Sequence, residues 1–480
     1  MNRSAADIGR GLAPARAARV VAPGQRVHVV GAAGAGASAA ALLAHHAGAI
    51  VSGCDPGAPS VYTAALADAG IVVAAEHAAA HVTAPGGQPE RLAVTKALTA
   101  VNPDHPELVA AREAGIPMEA WQQMVADVAA TTDQRLVAVA GTHGKSTTTG
   151  WLVDLLVRAG RDPSAFVGAL LDASLTGGAP ATARWGRGDT FVVEADEYAG
   201  NFDPYRPSVA VLLNAEWDHP DVFADEGAVL DAFEAWLRQA PGATLVANVG
   251  DPGAARIVER LHDWPGQIVR TPASLPHGYE IGLAGPANAA NALSVIAAAG
   301  VLGVEDRFVR ESLARYAGVG RRMEVKGNIG GVVVIDDYGH HPTAIARTLE
   351  AVRLRYPGRR VWAVYEPLTY HRTALMLGQF AHVLAMADEV AIADIWAGRD
   401  PDTTLTSAAV LADAVRAAGG PAAVAPGSVE ATADYLVEHV KRGDIVLVMG
   451  GGRSYVIAER LVDRLRGLHP MHQRDEKEGA

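Results

Sequence analysis

One short segment of the sequence carries the residue types that bind phosphate. An apolar, β-branched run at 136–140 is typical of a buried strand, and apolar side chains at helical spacing from Trp151 onwards indicate a helix. The turn between them consists of Gly141, Thr142, His143, Gly144, Lys145, Ser146 and Thr147. Glycines in such a turn let backbone N–H groups converge on an anion, and the helix N-terminus adds its positive dipole end. The segment therefore predicts a phosphate site.

The chemistry available in this turn is that of a nucleoside triphosphate site. Lys145 is placed to reach the outer phosphates, and the hydroxyl of Ser146 or Thr147 is placed to hold Mg²⁺. Val139 stands where the full P-loop pattern has its first glycine, so the turn is a shortened relative of that pattern. A plain Gly-Lys-Ser turn is the alternative. The strand before the turn and the helix after it favour triphosphate binding.

Acidic residues and a histidine follow two further predicted strands of the same region. Glu194 comes directly after a strand at 190–193, and His219 follows a strand at 209–213. Ligands gather outside the carboxyl ends of strands in open α/β sheets, where these side chains would ligate a Mg²⁺ that bridges the terminal phosphate and an incoming acyl group. Taken singly, Glu194 could cap a helix and His219 could lie on the surface. Their occurrence together behind a phosphate loop favours the metal site.

A second polar cluster follows a strand in the C-terminal third of the chain. The strand at 332–335 ends at Asp336 and Asp337, and a helix is expected from Pro342. One acid is expected to read a ribose hydroxyl, and the histidines at 340 and 341 are expected to face the reaction. A polar surface turn is the alternative.

The N-terminal region opens with a βαβ unit. A strand at 27–30 and a second strand that ends at Asp55 enclose a helix-prone stretch at 39–46. The turn after the first strand contains Gly31, Gly34 and Gly36. Such glycines, followed by an acid at ribose-reading distance, indicate a nucleotide-type ligand. Plain helix–strand packing is the alternative role for the glycines.

The alternation of strands and helices predicts three α/β domains: Rossmann-like, P-loop ATPase-like and Rossmann-like again. In the first domain, apolar runs at 71–75 and 96–101 alternate with helical stretches and predict a small parallel sheet. The expected boundaries are a frayed leader at 1–24, domains at 25–130, 131–320 and 321–468, and a flexible tail at 469–480. Arg321 and Arg322 mark the last junction, and one of them is expected to contact phosphate while the other is solvated.

Composition limits the class of protein. The 480 residues are 49% hydrophobic and 20% charged, with a formal net charge of −12, which indicates a globular enzyme of small substrates and disfavours a nucleic-acid or membrane-surface binder. The single cysteine, Cys54, is expected to exclude internal disulfides and a cysteine-based metal site, and it fits a reducing compartment. We expect neither a signal peptide nor a transmembrane span, and hence a cytoplasmic location.

The motifs together resemble those of the Mur ligases, the ATP-dependent amide-bond-forming enzymes of peptidoglycan precursor synthesis. The matching segments span nearly the whole chain and include VHVVGAAGAGAS, GTHGKSTTT, VVEADEY, NAEWDHPDVF, GVGRRMEVKG, DDYGHHPTA and EPLTYHRT. DDYGHHPT together with GTHGKS is most similar to the alanine-adding branch and its close relatives. The resemblance implies that UDP-N-acetylmuramate, L-alanine and ATP react, with Mg²⁺, through an acyl phosphate to give the alanyl product, ADP and phosphate.

The resemblance also implies roles for individual positions. ATP would be held by the turn at 141–147 with Lys145 central, by Asn288 and Asn291 at the adenine, by Arg322 at the phosphates and by Asp337 at the ribose. The implied Mg²⁺ ligands are Ser146, Glu194 and His219. The UDP-sugar site would be lined by Gly31, Gly34, Gly36, Ser38 and Asp55. His341 and Arg372 fall near the amino acid and the acyl phosphate, and His341 is the candidate general base.

Four positions depart from the family pattern. Ala33 and Ala37 stand in the sugar-nucleotide turn, Ala287 precedes Asn288, and Leu368 lies in EPLTYHRT. In the family these positions carry a glycine, a methionine and two histidines, so the resemblance implies a changed sugar-nucleotide pocket, one adenine contact fewer and one amino-acid contact fewer.

Three other functions compete with the alanine-adding one. A sister ligase attaches a recycled L-Ala-γ-D-Glu-diaminopimelate tripeptide to the same sugar, but Tyr338-Gly339 and Arg372-Thr373 favour a single amino acid. An NAD-dependent dehydrogenase would explain the first glycine turn and gives no role to Lys145. A non-catalytic nucleotide-binding regulator would not need the metal ligands. For the ligase we expect a monomer or a homodimer.

Overall fold

The computed structural model describes residues 3–84, 87–398, 400 and 402–468. Within these residues the strands form three sheets, and the chain divides into two compact units. The first unit comprises the residues up to 283 together with 287–320, and the second comprises 284–286 and the residues from 321 onwards. The α/β class with largely parallel sheets, expected from the sequence, is confirmed. The tail predicted at 469–480 lies outside the described residues.

The first sheet is parallel and has the strand order β3-β2-β1-β4-β5. Its strands are β1 (Arg26–Val30), β2 (Ile50–Cys54), β3 (Val73–Ala74), β4 (Arg91–Val94) and β5 (Met118–Ala120). The helices of this part are α1 (Ala5–Ile8), α2 (Ala35–His46), α3 (Ala64–Asp68), α4 (Ala80–Thr83), α5 (Lys96–Val101), α6 (Pro106–Glu113) and α7 (Trp121–Thr131). Alanines along α2 are buried, so this helix packs closely against its neighbours.

The expectation of a strand at 96–101 is wrong, because these residues form α5. The hydroxyl of Thr95 accepts a hydrogen bond from the backbone N–H of Ala97 (3.3 Å) and caps the helix. The neighbouring strand is instead β4, whose four residues are all buried. A six-residue apolar run does not distinguish a buried helix from a strand by periodicity, and the cap decides here. Of the run at 71–75, only β3 is a strand.

The second sheet has the order β12-β11-β10-β6-β9-β7-β8 and is parallel except where β8 pairs with β7. Its strands are β6 (Arg135–Ala140), β7 (Ser164–Leu171), β8 (Ala181–Arg184), β9 (Thr190–Ala195), β10 (Val209–Leu212), β11 (Thr244–Ala247) and β12 (Ile268–Arg270). Its helices are α8 (Lys145–Arg158), α9 (Ala173–Thr176), α10 (Glu226–Leu237), α11 (Pro252–Arg260), α12 (Pro286–Leu302) and α13 (Asp306–Arg315). Strand β6 lies between β9 and β10, so the segments that leave these three strands are neighbours.

The third sheet belongs to the second unit and has the order β13-β14-β18-β15-β16-β17. Its strands are β13 (Glu324–Ile329), β14 (Val332–Asp337), β15 (Val361–Glu366), β16 (Glu389–Ala393), β17 (Ala423–Gly427) and β18 (Ile445–Gly450). Its helices are α14 (Pro342–Arg355), α15 (Tyr370–Leu375), α16 (Leu377–Leu384), α17 (Ala408–Ala417), α18 (Val429–His439) and α19 (Ser454–Leu468). The antiparallel edge strand β13 was not expected, since its half-exposed residues lack an apolar run.

The N-terminal segment is packed, which corrects the expectation of a frayed leader. Ile8 and Val21 are fully buried. The Arg16 guanidinium forms ion pairs with Glu119 (2.7 Å) and with the fully buried Asp127 (2.8 Å). The segment therefore belongs to the first unit.

Among the described residues, none of the helices combines the length and the apolar character needed to cross a membrane.

Replacing Arg16 tests how much this leader stabilises the first unit. In Arg16→Ala, the Asp127 carboxylate keeps its contact with Arg91 but loses two hydrogen bonds from Arg16, while burial is unchanged. We expect the free energy of unfolding in urea to fall by about 1–3 kcal/mol. The control is Arg10→Ala, which removes an exposed arginine of the same segment and should change it by less than about 0.5 kcal/mol. Equal effects of the two substitutions would contradict a docked leader.

Candidate active site

The turn between β6 and α8 needs glycine at both of its glycine positions. Gly141 has a φ of 145° and Gly144, the N-cap of α8, has a φ of 83°. A Cβ on Gly141 would lie 3.0 Å from the Leu213 side chain. A Cβ on Gly144 would lie 2.5 Å from Oδ1 of Asn291. The turn therefore passes close to the end of β10 and to α12, and side chains at these positions would disrupt it.

The segment that follows β10 fixes the conformation of this turn. The backbone N–H of His143 donates to Oδ1 of Asn214 (2.8 Å), and the Asn214 amide donates back to the His143 carbonyl (2.9 Å). The Thr142 hydroxyl donates to the Glu216 carbonyl (3.0 Å) and accepts from the Glu216 N–H (2.9 Å). Because each of these short side chains makes two hydrogen bonds to the backbone, the conformation of the turn is fixed before any ligand binds.

Lys145 begins α8 and lies over the turn. Its ammonium donates to the Gly141 carbonyl (2.7 Å) and to Oε2 of Glu197 (2.8 Å). Burial alone would lower the pKa of Lys145, but the charges of Glu197 and Asp196 outweigh burial and hold that pKa above its ordinary value. Burial raises the pKa of Glu197 to about 7, although the Lys145 ammonium acts in the opposite direction. The ammonium is therefore charged at neutral pH.

Two groups suited to a hard cation lie beside this lysine. The Ser146 hydroxyl donates to Oε1 of Glu194 (3.1 Å), and Oε2 of Glu194 accepts the backbone N–H of Gly168 (2.6 Å). Next to them, ligand atoms of Asp196, Glu197 and His219 lie within 4.8 Å of one another. Within the described part of the chain, no hydrogen-bond donor reaches the buried Oε1 of Glu197.

Carboxylate oxygens and a hydroxyl are the ligands that Mg²⁺ prefers, and a buried oxygen without a donor is the feature a cation would satisfy. The residues present therefore fit the ion.

Each predicted metal ligand makes contacts near Lys145, and their joint binding of one ion remains a prediction. Ser146 and Glu194 are in contact, whereas the His219 imidazole lies 4.0 Å from Glu197 and packs edge-on against Tyr198. Glu197 is the residue that sequence reasoning missed. Strand β9 ends at Ala195, so alternation along the strand does not extend to position 197. The sequence signal that could have identified Glu197 is its position as the third acid of the segment EADE at 194–197.

Asn288 and Asn291 share one face of α12. They are one helical turn apart, and their side-chain amides are joined by a hydrogen bond of 3.4 Å. Because Asn291 also lies against Gly144, the structure brings the predicted adenine-contacting residues to the phosphate turn. Their contact with a base remains a prediction.

The glycines of the turn after β1 are required by close packing. Gly31 has a φ of 89° and a Cβ there would lie 2.3 Å from the Thr95 side chain, while a Cβ on Gly36 would lie 2.1 Å from the Trp121 ring. Both positions thus need glycine for packing, which is the alternative role considered from the sequence. Gly34 is the N-cap of α2.

Two polar residues of this predicted sugar-nucleotide site make internal hydrogen bonds. Asp55 accepts the backbone N–H groups of Ala33 (3.1 Å) and Gly57 (2.7 Å). The hydroxyl of the buried Ser38 donates to the Ala35 carbonyl (2.9 Å) and lies 3.1 Å from Oγ1 of Thr182. Asp55 thus orders the turn, and Ser38 joins α2 to β8. Sugar-nucleotide binding by these residues remains a prediction.

In the second unit, the acids at the end of β14 hold the backbone around them. Asp337 accepts the N–H groups of Gly339 (2.7 Å) and Met323 (2.9 Å), and burial raises its pKa. Asp336 forms an ion pair with Arg321 (3.2 Å), and burial raises its pKa to about 6. Of the two adjacent arginines, Arg321 is buried and Arg322 is half-buried, so neither is the fully solvated residue that was expected. A phosphate contact by one of them remains a prediction.

The other predicted residues of this unit lie on loops and helix starts. The Arg322 guanidinium lies 5.1 Å from the centre of the Tyr338 ring. His341 is the N-cap of α14, and its Nδ1 accepts the backbone N–H of Thr343 (3.3 Å). Accepting this bond requires an unprotonated Nδ1, so the neutral ring carries its proton on Nε2 and can donate it there. Arg372 is buried on α15.

Comparison with known proteins defines the class. Family models match in chain order: "Mur ligase family, catalytic domain" at 26–132, "Mur ligase middle domain" at 139–277, and "Mur ligase, glutamate ligase domain" at 321–452. Together with the relatives described next, these matches establish that the chain belongs to the Mur ligase family. The resemblance inferred from the motifs is confirmed.

The curated relatives narrow this class. The chain is 37% identical to the UDP-N-acetylmuramate–L-alanine ligase of Kineococcus radiotolerans, covering 92% of this chain and 96% of the relative. It is 39% identical to the enzyme of the same name from a Nocardioides species, again with 92% and 96% coverage. The enzyme of the same name from Mycolicibacterium smegmatis is 35% identical, with 92% and 95% coverage.

Solved structures agree on the fold. The UDP-N-acetylmuramate-alanine ligase of Thermotoga maritima superimposes with a TM-score of 0.75 at 24% identity, covering 92% of this chain and 99% of that one. A murein peptide ligase from Psychrobacter arcticus superimposes with a TM-score of 0.70 at 25% identity and the same coverage.

A matched pair of glycine substitutions tests the geometry of the phosphate turn. Gly144→Ala places a Cβ in left-handed backbone against Asn291, whereas Gly160→Ala places one in left-handed backbone (φ 70°) with nothing within 4 Å. Both should lose about 1–2 kcal/mol of unfolding free energy from backbone strain. Only Gly144→Ala should also weaken binding of a non-hydrolysable ATP analogue, by at least about tenfold in calorimetry. Equal affinities in the two variants would show that Gly144 does not shape the nucleotide site.

Proposed function

We propose that this protein is an ATP-dependent ligase that joins L-alanine to the lactyl carboxylate of UDP-N-acetylmuramate. Relatives that match 92% of the chain carry that activity in their names. The observation that carries the proposal is the charged Lys145 ammonium, held by Glu197 over a turn whose backbone is already fixed for phosphate. A nucleotide-dependent ligation needs this arrangement, and a dehydrogenase gives it no role.

The chemical difficulty is that a carboxylate is a poor electrophile. Transfer of the γ-phosphoryl group to the sugar-linked carboxylate gives an acyl phosphate, whose phosphate is a good leaving group when the alanine amine attacks. Lys145 neutralises charge that develops on the moving phosphoryl group, and the turn at 141–147 orients the triphosphate. Positioning and fixed charge supply most of the catalysis in phosphoryl transfer.

The acids beside Lys145 set its charge and would hold the cation. Ser146 and Glu194 would hold Mg²⁺, with Glu197 and His219 as further ligand positions. Mg²⁺ would supply positive charge that offsets the charge on the transferred phosphoryl oxygens. Glu197 has a second role, since its carboxylate keeps Lys145 protonated.

The remaining predicted residues take the other parts of the substrates. In the first unit, Asn288 and Asn291 would contact the adenine, and the turn with Gly31, Gly34 and Gly36, together with Ser38 and Asp55, would receive the UDP-sugar. In the second unit, Arg322 would contact phosphate, Asp337 the ribose, and Arg372 the amino acid. To act as general base for the amine at Nε2, His341 would need its other neutral tautomer, with the proton on Nδ1, and so would give up the hydrogen bond from Thr343. The use of ATP and a UDP-sugar as substrates supports a cytoplasmic location for the reaction.

The sister activity, ligation of a tripeptide to the same sugar, is the competing proposal. Among the solved structures, the murein peptide ligase of Psychrobacter arcticus (25% identity) and the alanine ligase of Thermotoga maritima (24%) are equally similar in sequence, so identity to these structures does not separate the two activities. Both activities use the same first two substrates. The amino-acid-binding part of the chain therefore decides between them, and substrate competition measures it directly.

Phosphate release tests the ligase assignment and the role of Lys145 together. With UDP-N-acetylmuramate, ATP and L-alanine present, Lys145→Ala should release phosphate at least about 10²–10³-fold more slowly, because the transferred charge loses its fixed cation. Lys441→Ala removes an exposed lysine of the second unit and should behave as wild type. Activity of Lys145→Ala near the wild-type rate would refute the role of this lysine. Faster release with the L-Ala-γ-D-Glu-diaminopimelate tripeptide than with L-alanine would favour the sister ligase.

Magnesium dependence tests the assignment of Glu194. Chelation by EDTA should abolish phosphate release, and Glu194→Gln should raise the Mg²⁺ concentration for half-maximal activity by at least about tenfold. Glu259→Gln, an exposed change on α11 of the same unit, should leave the Mg²⁺ titration unchanged. An unshifted titration curve for Glu194→Gln would remove this residue from the ion's ligands.

A further inference from the structure

A second cluster of ligand-type side chains lies buried between the first sheet and helices α4 and α6. His28 on β1, Cys54 at the end of β2, His81 on α4 and Glu107 on α6 each contribute one candidate ligand atom. These four atoms all lie within 4.8 Å of one another. We call this group the Cys54 cluster. Nothing in the ligase mechanism uses it.

The contacts within the Cys54 cluster are short and reciprocal. Sγ of Cys54 lies 3.3 Å from Nε2 of His28 and 3.3 Å from Oε2 of Glu107. Oε1 of Glu107 lies 3.1 Å from Nε2 of His28 and 2.9 Å from Nδ1 of His81. His77, just before α4, brings its Nδ1 to 3.0 Å from the same sulfur. Every member therefore points its ligand atom towards a shared centre.

Burying these polar side chains costs free energy that the packing of apolar side chains would not cost. Cys54 and Glu107 are fully buried and His28 is 2% exposed, in a layer otherwise filled by apolar side chains such as Val82 and Leu92. Uncompensated polar or charged groups in such a layer cost several kcal/mol, and a carboxylate costs more than a neutral group. A bound cation would compensate the carboxylate and a thiolate at once.

The mixture of ligand types selects the kind of ion. A thiolate and imidazoles favour zinc over Mg²⁺ or Ca²⁺, which take oxygen ligands. Zn–S bonds of about 2.3 Å and Zn–N bonds of about 2.0–2.1 Å give tetrahedral edges of about 3.3–3.6 Å. Four of the six edges among Sγ of Cys54, Oε1 of Glu107, Nε2 of His28 and Nδ1 of His81 are 2.9–3.4 Å, within this range or a few tenths of an ångström below it, and the two edges from His81 to Cys54 and His28 lie within 4.8 Å. Small outward shifts of side chains would admit the ion.

We infer that the Cys54 cluster is a structural zinc site formed by His28, Cys54, His81 and Glu107, with His77 adjoining it. The sequence-based expectation that one cysteine excludes a cysteine-based metal site considered cysteines alone. The fold supplies the missing ligands as imidazole and carboxylate from three other elements. Four protein ligands leave no open position, which is typical of structural and not of catalytic zinc.

The site would support the glycine turn of the same sheet. The Cys54 carbonyl accepts the backbone N–H groups of Gly31 (2.8 Å) and Ala32 (3.2 Å), and the next residue, Asp55, accepts the N–H of Ala33. Zinc on the Cys54 sulfur would fix the end of β2, and through it the start of this turn. The two short elements that carry His81 and Glu107 would be tied to the sheet as well.

A metal-free hydrogen-bond network is the competing interpretation. Burial, followed by the charge of Glu107, raises the pKa of the Cys54 thiol, which can then donate to Glu107. Burial would raise the pKa of Glu107, but hydrogen bonds from His28, His77 and His81 outweigh burial and lower that pKa. Such a network satisfies the same groups without an ion. The two interpretations differ in metal content and in the spectrum of a cobalt derivative.

Metal analysis of the full-length chain, purified without a histidine tag, distinguishes them. After equilibration with zinc and removal of loosely bound ion, wild type should retain about one zinc per chain by mass spectrometry. Cobalt in its place should give a thiolate-to-cobalt charge-transfer band and strong tetrahedral ligand-field bands. Cys54→Ser should lose the charge-transfer band and bind zinc at least about tenfold more weakly. His45→Asn changes a half-buried histidine of α2 outside the cluster and should match wild type.

Two results would overturn the zinc site: wild type without retained zinc, or cobalt-loaded wild type without a thiolate band. If Cys54→Ser retained zinc with wild-type affinity, the ion would be bound elsewhere, and this result would also overturn the site. If Cys54→Ser fails to fold, the cobalt spectrum of wild type decides alone. His81→Asn, at the more exposed edge of the cluster, then provides the second variant. A melting temperature that falls on chelation in wild type and His45→Asn, but not in His81→Asn, would support the site.

Discussion

A lysine ammonium buried among carboxylates is the interaction on which the phosphate-binding half of this protein depends. Removing an ammonium and a carboxylate from water costs several kcal/mol per ion, so Lys145 and Glu197 are tolerable there only as partners. Their contact of 2.8 Å also crosses from α8 to the segment after β9, and so ties the phosphate turn to the acids beside it. Asp196 lies 3.5 Å from the same nitrogen, so two carboxylates surround one ammonium and the net charge of the group is negative. The local field therefore keeps the lysine protonated before any phosphate arrives and favours a further cation beside it.

The topology of the second sheet explains why these groups meet. Strand β6 pairs in parallel with both β9 and β10, with Ala140 opposite Ala195 on one side and Leu212 on the other. The three strands therefore end at the same level, and the turn, the acids and the segment with Asn214 all begin there. The chain segments concerned are far apart in sequence, from about 141 to 219. Strand order, and not sequence distance, brings them together, as expected for open parallel sheets.

Local motifs could be predicted from the sequence because they contain their own geometry. The strand, turn and helix around Gly141 and Lys145 follow from glycine, lysine and hydroxyl spacing, and the helix start at Pro342 follows from proline at a first helical position. Features that depend on distant partners could not be predicted. Arg16 is ordered by Glu119 and Asp127, which lie more than 100 positions away. Glu197 gains its role from Lys145, which lies 52 positions away.

The end of β2 shows how one strand serves two sites. Successive side chains of a strand point to opposite faces of its sheet, so Cys54 and Asp55 diverge: the sulfur enters the buried cluster, while the carboxylate accepts N–H groups of the glycine turn. Asp55 belongs to the predicted sugar-nucleotide site, whereas the side chain of Cys54, one residue earlier, lies on the other side of the sheet. His28 on the neighbouring strand faces the same side as Cys54, since its ring lies against that sulfur. A residue that adds nothing to a nucleotide fingerprint can therefore still be constrained, because its sulfur contacts His28 and Glu107 on the opposite face of the sheet.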